Sequence, residues 1–241
     1  MHEPPLRPHE RSRIDVGFYS EIPLHRGPVE HVPLAGGYTV ELSLSGDEFD
    51  GSAVCEGRLV TAWLRCNSEA VPVAVLEAVL ISDGVGSSLC LADACDRISE
   101  QLHSVINELT RTCQDDFAAI FNSGSVIVVS RLEVRNVLGA SALSRKLVDA
   151  VCAFIQPQHR LALMAIKPFP LQYENTAPEL GSRHYEAYWL KFKSAFEKLS
   201  TYYSYEFGFL SAAHDSTLLI KSFDGYSCSL GRAGWAVKVL E

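Results

Sequence analysis

No run of this sequence approaches the roughly 20 consecutive apolar residues that cross a bilayer, so no membrane-spanning helix is expected. The opening Met1-His2-Glu3-Pro4-Pro5 lacks the basic and apolar regions of a secretory signal, which makes the cytoplasm the expected compartment. A concentrated basic footprint is missing as well. The 241 residues carry a formal charge of −8, which argues against nucleic acid as a main partner because phosphate binding needs clustered cations. The chain has no P-loop, dinucleotide glycine fingerprint, His-Glu-x-x-His or Gly-x-Ser-x-Gly elbow. His214-Asp215-Ser216 has triad residue types, but adjacency in sequence does not create triad geometry. None of the seven cysteines shows the short pair spacing of a zinc knuckle or a redox dithiol, so they read as reduced core thiols. His2, His9, His25 and His31 cluster among prolines without acidic or thiol ligands at regular spacing, and no metal site is expected.

With 47% hydrophobic residues the chain is long and apolar enough to bury a sizeable core. Six of its eleven prolines fall in residues 1–33, so residues 1–36 read as a Pro/His-rich arm, with the folded domain spanning 37–222. Tyr38 to Leu44 alternates as a strand, and 53–66 and 71–81 read as two more. The period then changes. Leu91, Cys95, Ile98, Leu102, Val105 and Leu109 mark one face of an amphipathic helix. Ser125 to Val134 is a β-branched run suited to a central buried strand. A helix carrying Leu143, Leu147, Val151 and Phe154 follows, ends at Gln156-Pro157, and leads into a strand from Leu161 to Ile166. Strand, turn, helix and strand in that order make a crossover unit. Tyr185, Tyr188, Trp189, Phe192, Phe196 and Leu199 form a last helical stripe, and Ser216 to Ser222 a last strand. The fold class is α/β: a mixed, mostly antiparallel sheet flanked by helices with a central β-α-β crossover. Residues 223–241, with Trp235, form a C-terminal extension, read either as a hairpin or as a homodimer contact.

Chemistry is expected at the turn after the buried strand. Ligands gather beyond the carboxyl ends of strands in open α/β sheets, and amides at a helix N-terminus attract anions. Gly139 allows close backbone approach to a phosphate, and Ser141 supplies a hydroxyl donor or a helix cap. Around this turn Arg131, Arg135, Arg145 and Lys146 stand against Glu133 alone, a positive segment in an acidic chain.

The order of these elements resembles the GNAT family of N-acetyltransferases over residues 38–222. Leu132-Glu133-Val134 matches the family's Leu-x-Val strand end, and its acetyl-CoA pyrophosphate loop maps onto Asn136, Gly139 and Ser141, with Asn136 in place of the usual Arg or Gln. Phe207-Gly208-Phe209 resembles the family's Gly-Phe strand start, and Lys167 to Gln172 resembles a segment after the fifth strand of some GNAT-like proteins. The resemblance implies an acyl-CoA-dependent N-acyltransferase using acetyl-CoA, or a binding protein on the same scaffold without catalysis. It implies pantetheine contacts at Leu132 and Val134, pyrophosphate contacts at Val137, Leu138, Gly139, Ala140 and Ser141, Glu133 as general base, and Tyr203, with Tyr205 as the alternative, as proton donor. The implied partners are acyl-CoA and an amine acceptor. The chain's negative charge favours encounter with a cationic one, such as a polyamine, an aminoglycoside or a lysine side chain.

Overall fold

A computed structural model of the chain describes residues 22–47, 56–82, 88–96, 98–113, 117–135, 140–173, 176–213 and 216–223. Its centre is one eight-stranded sheet: β1 (Val29–Leu34), β2 (Tyr38–Asp47), β3 (Glu56–Cys66), β4 (Ala74–Ser82), β5 (Ser125–Val134), β6 (Leu161–Ile166), β7 (Leu210–Ser211) and β8 (Leu219–Ser222). The spatial order is β1-β2-β3-β4-β5-β6-β8-β7. Among the described residues only the β5–β6 pair is parallel; every other neighbouring pair is antiparallel. The expected mixed, mostly antiparallel sheet with helices is therefore present. The crossover between the parallel strands is α4 (Ala140–Ile155), as the alternation of periods implied.

Helices cover both faces. One face buries Val40, Leu42, Ala62, Leu64, Leu76 and Ile127 against Leu143, Leu147 and Val151 of α4. The other buries Val79, Ile81, Val126, Val128 and Leu163 beneath α1 (Ser88–Asp96), α2 (Glu100–Thr112) and α3 (Phe117–Ser123). The stripe from Leu91 to Leu109, expected as one helix, is divided between α1 and α2. Ser99 caps α2 by accepting a 3.0 Å hydrogen bond from the Leu102 amide, and the amides of Ile98 and Ser99 both reach back to the Cys95 carbonyl. The stripe nevertheless stays on one face, because Leu91, Cys95, Leu102, Val105 and Leu109 are all buried together. The last helix, α5 (Tyr185–Phe207), continues two turns past the expected stripe and stops at Gly208, whose φ of +73° is the left-handed end favoured by glycine.

The sheet starts inside the segment expected as an arm. β1 is its edge strand, joined to β2 through Gly36 and Gly37, and both glycines hold positive φ in the tight hairpin. Residues 22–28 lie against the sheet face away from α4. The Trp63 indole donates to the Pro23 carbonyl at 2.9 Å, and His25 packs on the Trp63 ring with centroids 4.2 Å apart. Burial lowers the His25 pKa, favouring the neutral ring that hydrogen-bonds Ser43 at 2.9 Å.

A bulge resets the sheet where β5 passes β4. Glu77 lies opposite Arg131 and Ala78 opposite Val129, so Ser130 is an extra residue. Before it, Ile127 and Val129 face α4; after it, Leu132 and Val134 do, and Arg131 and Glu133 turn to the opposite face. At its start, β5 is held hard against the chain entering β6. The Ser125 amide donates to the Arg160 carbonyl at 2.7 Å, and a Cβ on Gly124 would stand 2.3 Å from that oxygen. Gly124→Ala is therefore expected to destabilise the fold by about 3 kcal/mol, at the upper end of ordinary overpacking, read as a lower midpoint of denaturant unfolding.

Candidate functional site

The parallel pair opens at its carboxyl end. The β5–β6 ladder stops at Val129 and Ile166, yet β5 stays paired with β4 as far as Val134 and Ala74. Beyond Ile166 the chain leaves the sheet through Lys167-Pro168-Phe169-Pro170, where two prolines remove amide donors that a longer strand would need. It then enters a 3-10 turn over Leu171–Tyr173. Lys167 anchors this exit: its ammonium donates to Ser104 Oγ at 3.2 Å and pairs with Glu108 of α2 at 3.3 Å. Glu108 also accepts from Ser216 Oγ at 2.6 Å and from the Leu218 amide at 3.3 Å. Burial alone would raise its pKa, but these donors bring it below the usual carboxylate value.

The diverging strands and α5 enclose a cleft of about 680 Å³, a size that accommodates a substantial organic ligand. One wall is Leu132 to Val134, the second is 169–173, and the third is the α5 stripe of Lys191, Ser194, Ala195, Lys198, Leu199 and Tyr202. Phe169 and Tyr173 pack on Phe192 with centroids 5.6 and 5.7 Å away, joining the second wall to the third.

Several residues singled out from the sequence meet here. Leu132, Glu133, Val134 and Tyr203 all line the cleft. Ala140 and Ser141 open α4 close to one end of it: Ser144, one turn on, donates to the Ser141 carbonyl at 2.7 Å and is hydrogen-bonded to the hydroxyl of the cleft residue Tyr202. Since the Ser144 proton is committed to Ser141, Tyr202 is the donor of the second bond. Arg145 adds a clasp between the helices by binding the Glu206 carboxylate at 2.7 Å. Asn136, Val137, Leu138 and Gly139 lie outside the described residues.

The two expected catalytic side chains differ in their surroundings. Glu133 is buried, and its carboxylate is held by Arg131 through Nη2 at 2.7 Å and Nε at 3.2 Å. By the bulge it belongs to the face away from α4, whereas Tyr203 packs in the core on the α4 side. Tyr203 is only 4% exposed, among the rings of Tyr202, Phe207 and Phe209, and its hydroxyl has no hydrogen-bond partner among the described residues. Burial, reinforced by Tyr202, raises its pKa well above the usual phenol value, so it stays protonated at neutral pH. Tyr205, 84% exposed, is outside the lining.

Sequence reasoning missed Tyr202, Ser144, Lys191 and Lys198. A signal for the α5 residues was present: positions 191, 194, 195, 198, 199 and 202 repeat at helical spacing, yet their lysines and small residues would fill a core poorly.

The Arg131–Glu133 pair is a deeply buried ionic contact, and removing one member takes a charged partner from the other. Arg131→Met is expected to cost about 3–5 kcal/mol in denaturant unfolding, and the double variant Arg131→Met/Glu133→Leu to recover much of that loss. Equal losses in the single and double variants would show the pair to be uncoupled.

No protein-family model matches the sequence, and no curated protein or solved structure matches it.

Proposed function

We propose that the protein is an acyl-CoA-dependent N-acyltransferase that transfers an acetyl group to an amine in the cleft between β5, 169–173 and α5. One observation carries this reading: two parallel strands diverge at their carboxyl ends beside the first turn of the crossover helix. Such a gap accepts an extended thioester arm, and the helix start favours the anion at the arm's other end. Leu132 and Val134 would flank the pantetheine arm, and the segment from Val137 to Ser141 would receive the pyrophosphate.

Within this reading the amine attacks the thioester carbonyl, a C–N bond forms, and the C–S bond breaks. The departing thiolate takes a proton. Tyr203 is the better donor, because Tyr202 already gives its proton to Ser144 while the Tyr203 hydroxyl is uncommitted. The raised pKa of Tyr203 makes proton transfer to a thiolate uphill, so the proton moves only as the C–S bond breaks beside it, and the phenolate then regains a proton from solvent. Arg131 occupies the Glu133 carboxylate, so Glu133 braces the strand and the amine's surplus proton leaves to solvent.

A binding protein without catalysis is the second reading. It is favoured by the engagement of Glu133 with Arg131 and by the burial of Tyr203. Calorimetric titration with acetyl-CoA, followed by assay of free thiol release with a panel of amines, separates the two. Saturable binding with amine-dependent thiol release is expected. Binding without release would favour the second reading, and no binding at millimolar acetyl-CoA would overturn both as drawn. Tyr203→Phe is expected to lower kcat about a hundredfold while leaving acetyl-CoA affinity within about twofold. Unchanged turnover would remove Tyr203 from the proton-donor role.

A further inference from the structure

The described charges of the cleft differ in sign from the charge of the whole chain. Among the described lining residues the one acid, Glu133, has its side chain on the opposite sheet face, bound to Arg131, whereas the exposed Lys191 and Lys198 make no salt bridge among the described residues. Their neighbour Lys193, outside the lining, faces Glu197 at 4.0 Å. Lys191 and Lys198 are seven residues apart on one face of α5, with the small Ser194 and Ala195 between them. Lys191, Ser194 and Lys198 are exposed, so this face of α5 is a solvent-open trough with a cation at either end.

Distance separates the roles of the two lysines. At 1.5 Å per residue, Lys198 stands about 6 Å along the axis from Tyr202, which is bonded to the first turns of α4. It can serve a ligand held there. Lys191 stands about 16 Å from Tyr202 on the same measure, beyond reach of a diphosphate at the start of α4. It shares the cleft lining with Phe169, Leu171 and Tyr173, the apolar part of the second wall.

Resting on the acyltransferase reading, we propose that the acceptor is an amine that also carries a carboxylate, joined by an apolar or aromatic body, and that Lys191 binds the carboxylate. A single ammonium matches a monoanion in charge; no arginine joins Lys191 in the described lining, and at nearly two turns inside α5 it lies beyond the helix's free N-terminal amides.

The test is calorimetry with L-phenylalanine, L-phenylalaninamide and phenethylamine on the wild type, Lys191→Gln and Lys191→Arg, with acetyl-CoA titrated in parallel. L-phenylalanine is expected to bind the wild type at least tenfold more tightly than the amide or the amine. Lys191→Gln should erase that preference, Lys191→Arg should keep most of it, and both should leave acetyl-CoA affinity within about twofold. Equal binding of the three probes, no binding of L-phenylalanine at millimolar concentration, or a preference that persists in Lys191→Gln would overturn the proposal. So would a loss of acetyl-CoA affinity in Lys191→Gln as large as the loss for L-phenylalanine. If the wild type fails to bind acetyl-CoA but keeps a Lys191-dependent preference for the acid, the acyltransferase reading falls and the carboxylate site stands.

Discussion

Everything distinctive about this sheet depends on two parallel strands that are tied at one end and free to part at the other. At the start of β5 and β6, the Ser125 amide reaches the Arg160 carbonyl, and only a glycine at position 124 permits that approach. Five residues later the ladder is over, and Pro168 and Pro170 turn the chain away from the sheet. A longer β6 would close the gap with backbone hydrogen bonds, leaving no cleft. The opening is thus secured by removing donors from one strand, while β4 continues to pair one edge of β5 and the amides and carbonyls of its other edge are left to the cleft, where solvent or a ligand can meet them. Lys167, Ser104 and Glu108 hold the departing chain to α2, which fixes the width of the gap from outside the sheet.

The bulge at Ser130 is the second half of the same construction. Without it, strict alternation from Ile127 and Val129 would send Arg131 and Glu133 toward α4 and the cleft, and Leu132 and Val134 away from it. One additional residue reverses the assignment. Apolar side chains then line the α4 side beside Tyr203, and the charged pair lies on the other face, with Arg131 opposite Glu77 and Glu133 opposite Val75; burial raises the Glu77 pKa and Arg131 opposes that shift. Charges buried this deeply are tolerable only as partners, which is why the guanidinium makes two contacts with one carboxylate oxygen. The price is that Glu133 loses the freedom a general base needs.

These particulars also explain what could be read from the sequence. Long periodic signals survived folding: the run from Ser125 to Val134 is a central strand, the Leu143 to Phe154 pattern is the crossover helix, and the residues of the Leu91 to Leu109 stripe stay on one buried face although Ser99 divides the helix. β1 was hidden because a Pro-rich composition reads as an arm, and an edge strand tolerates Pro33 where an inner strand would not. The bulge was invisible, since Arg-Leu-Glu-Val alternates perfectly in either register and only the partner strand reveals the extra residue. Leu132, Val134 and Tyr203, singled out for separate roles, line one cavity, while Tyr202 and Ser144 depend on how α4 and α5 meet, a contact with no short-range sequence signature.

Charge shows most clearly why composition is a poor guide to a site. A net −8 acts on an approaching molecule through the summed field, which salt screens over a Debye length of roughly 8 Å. Such a field favours arrival of cations at the surface but does not choose what stays in a cleft. There the nearest unpaired groups dominate, because Coulomb energies rise as separation shrinks and as water is excluded. In the described lining of this cleft those groups are the ammoniums of Lys191 and Lys198, while the Glu133 carboxylate is turned to the other face of the sheet with Arg131. An amine that also bears a carboxylate reconciles the two scales: its positive end is not repelled by the acidic surface, and its negative end meets a cation at the cleft, where Lys191 is exposed.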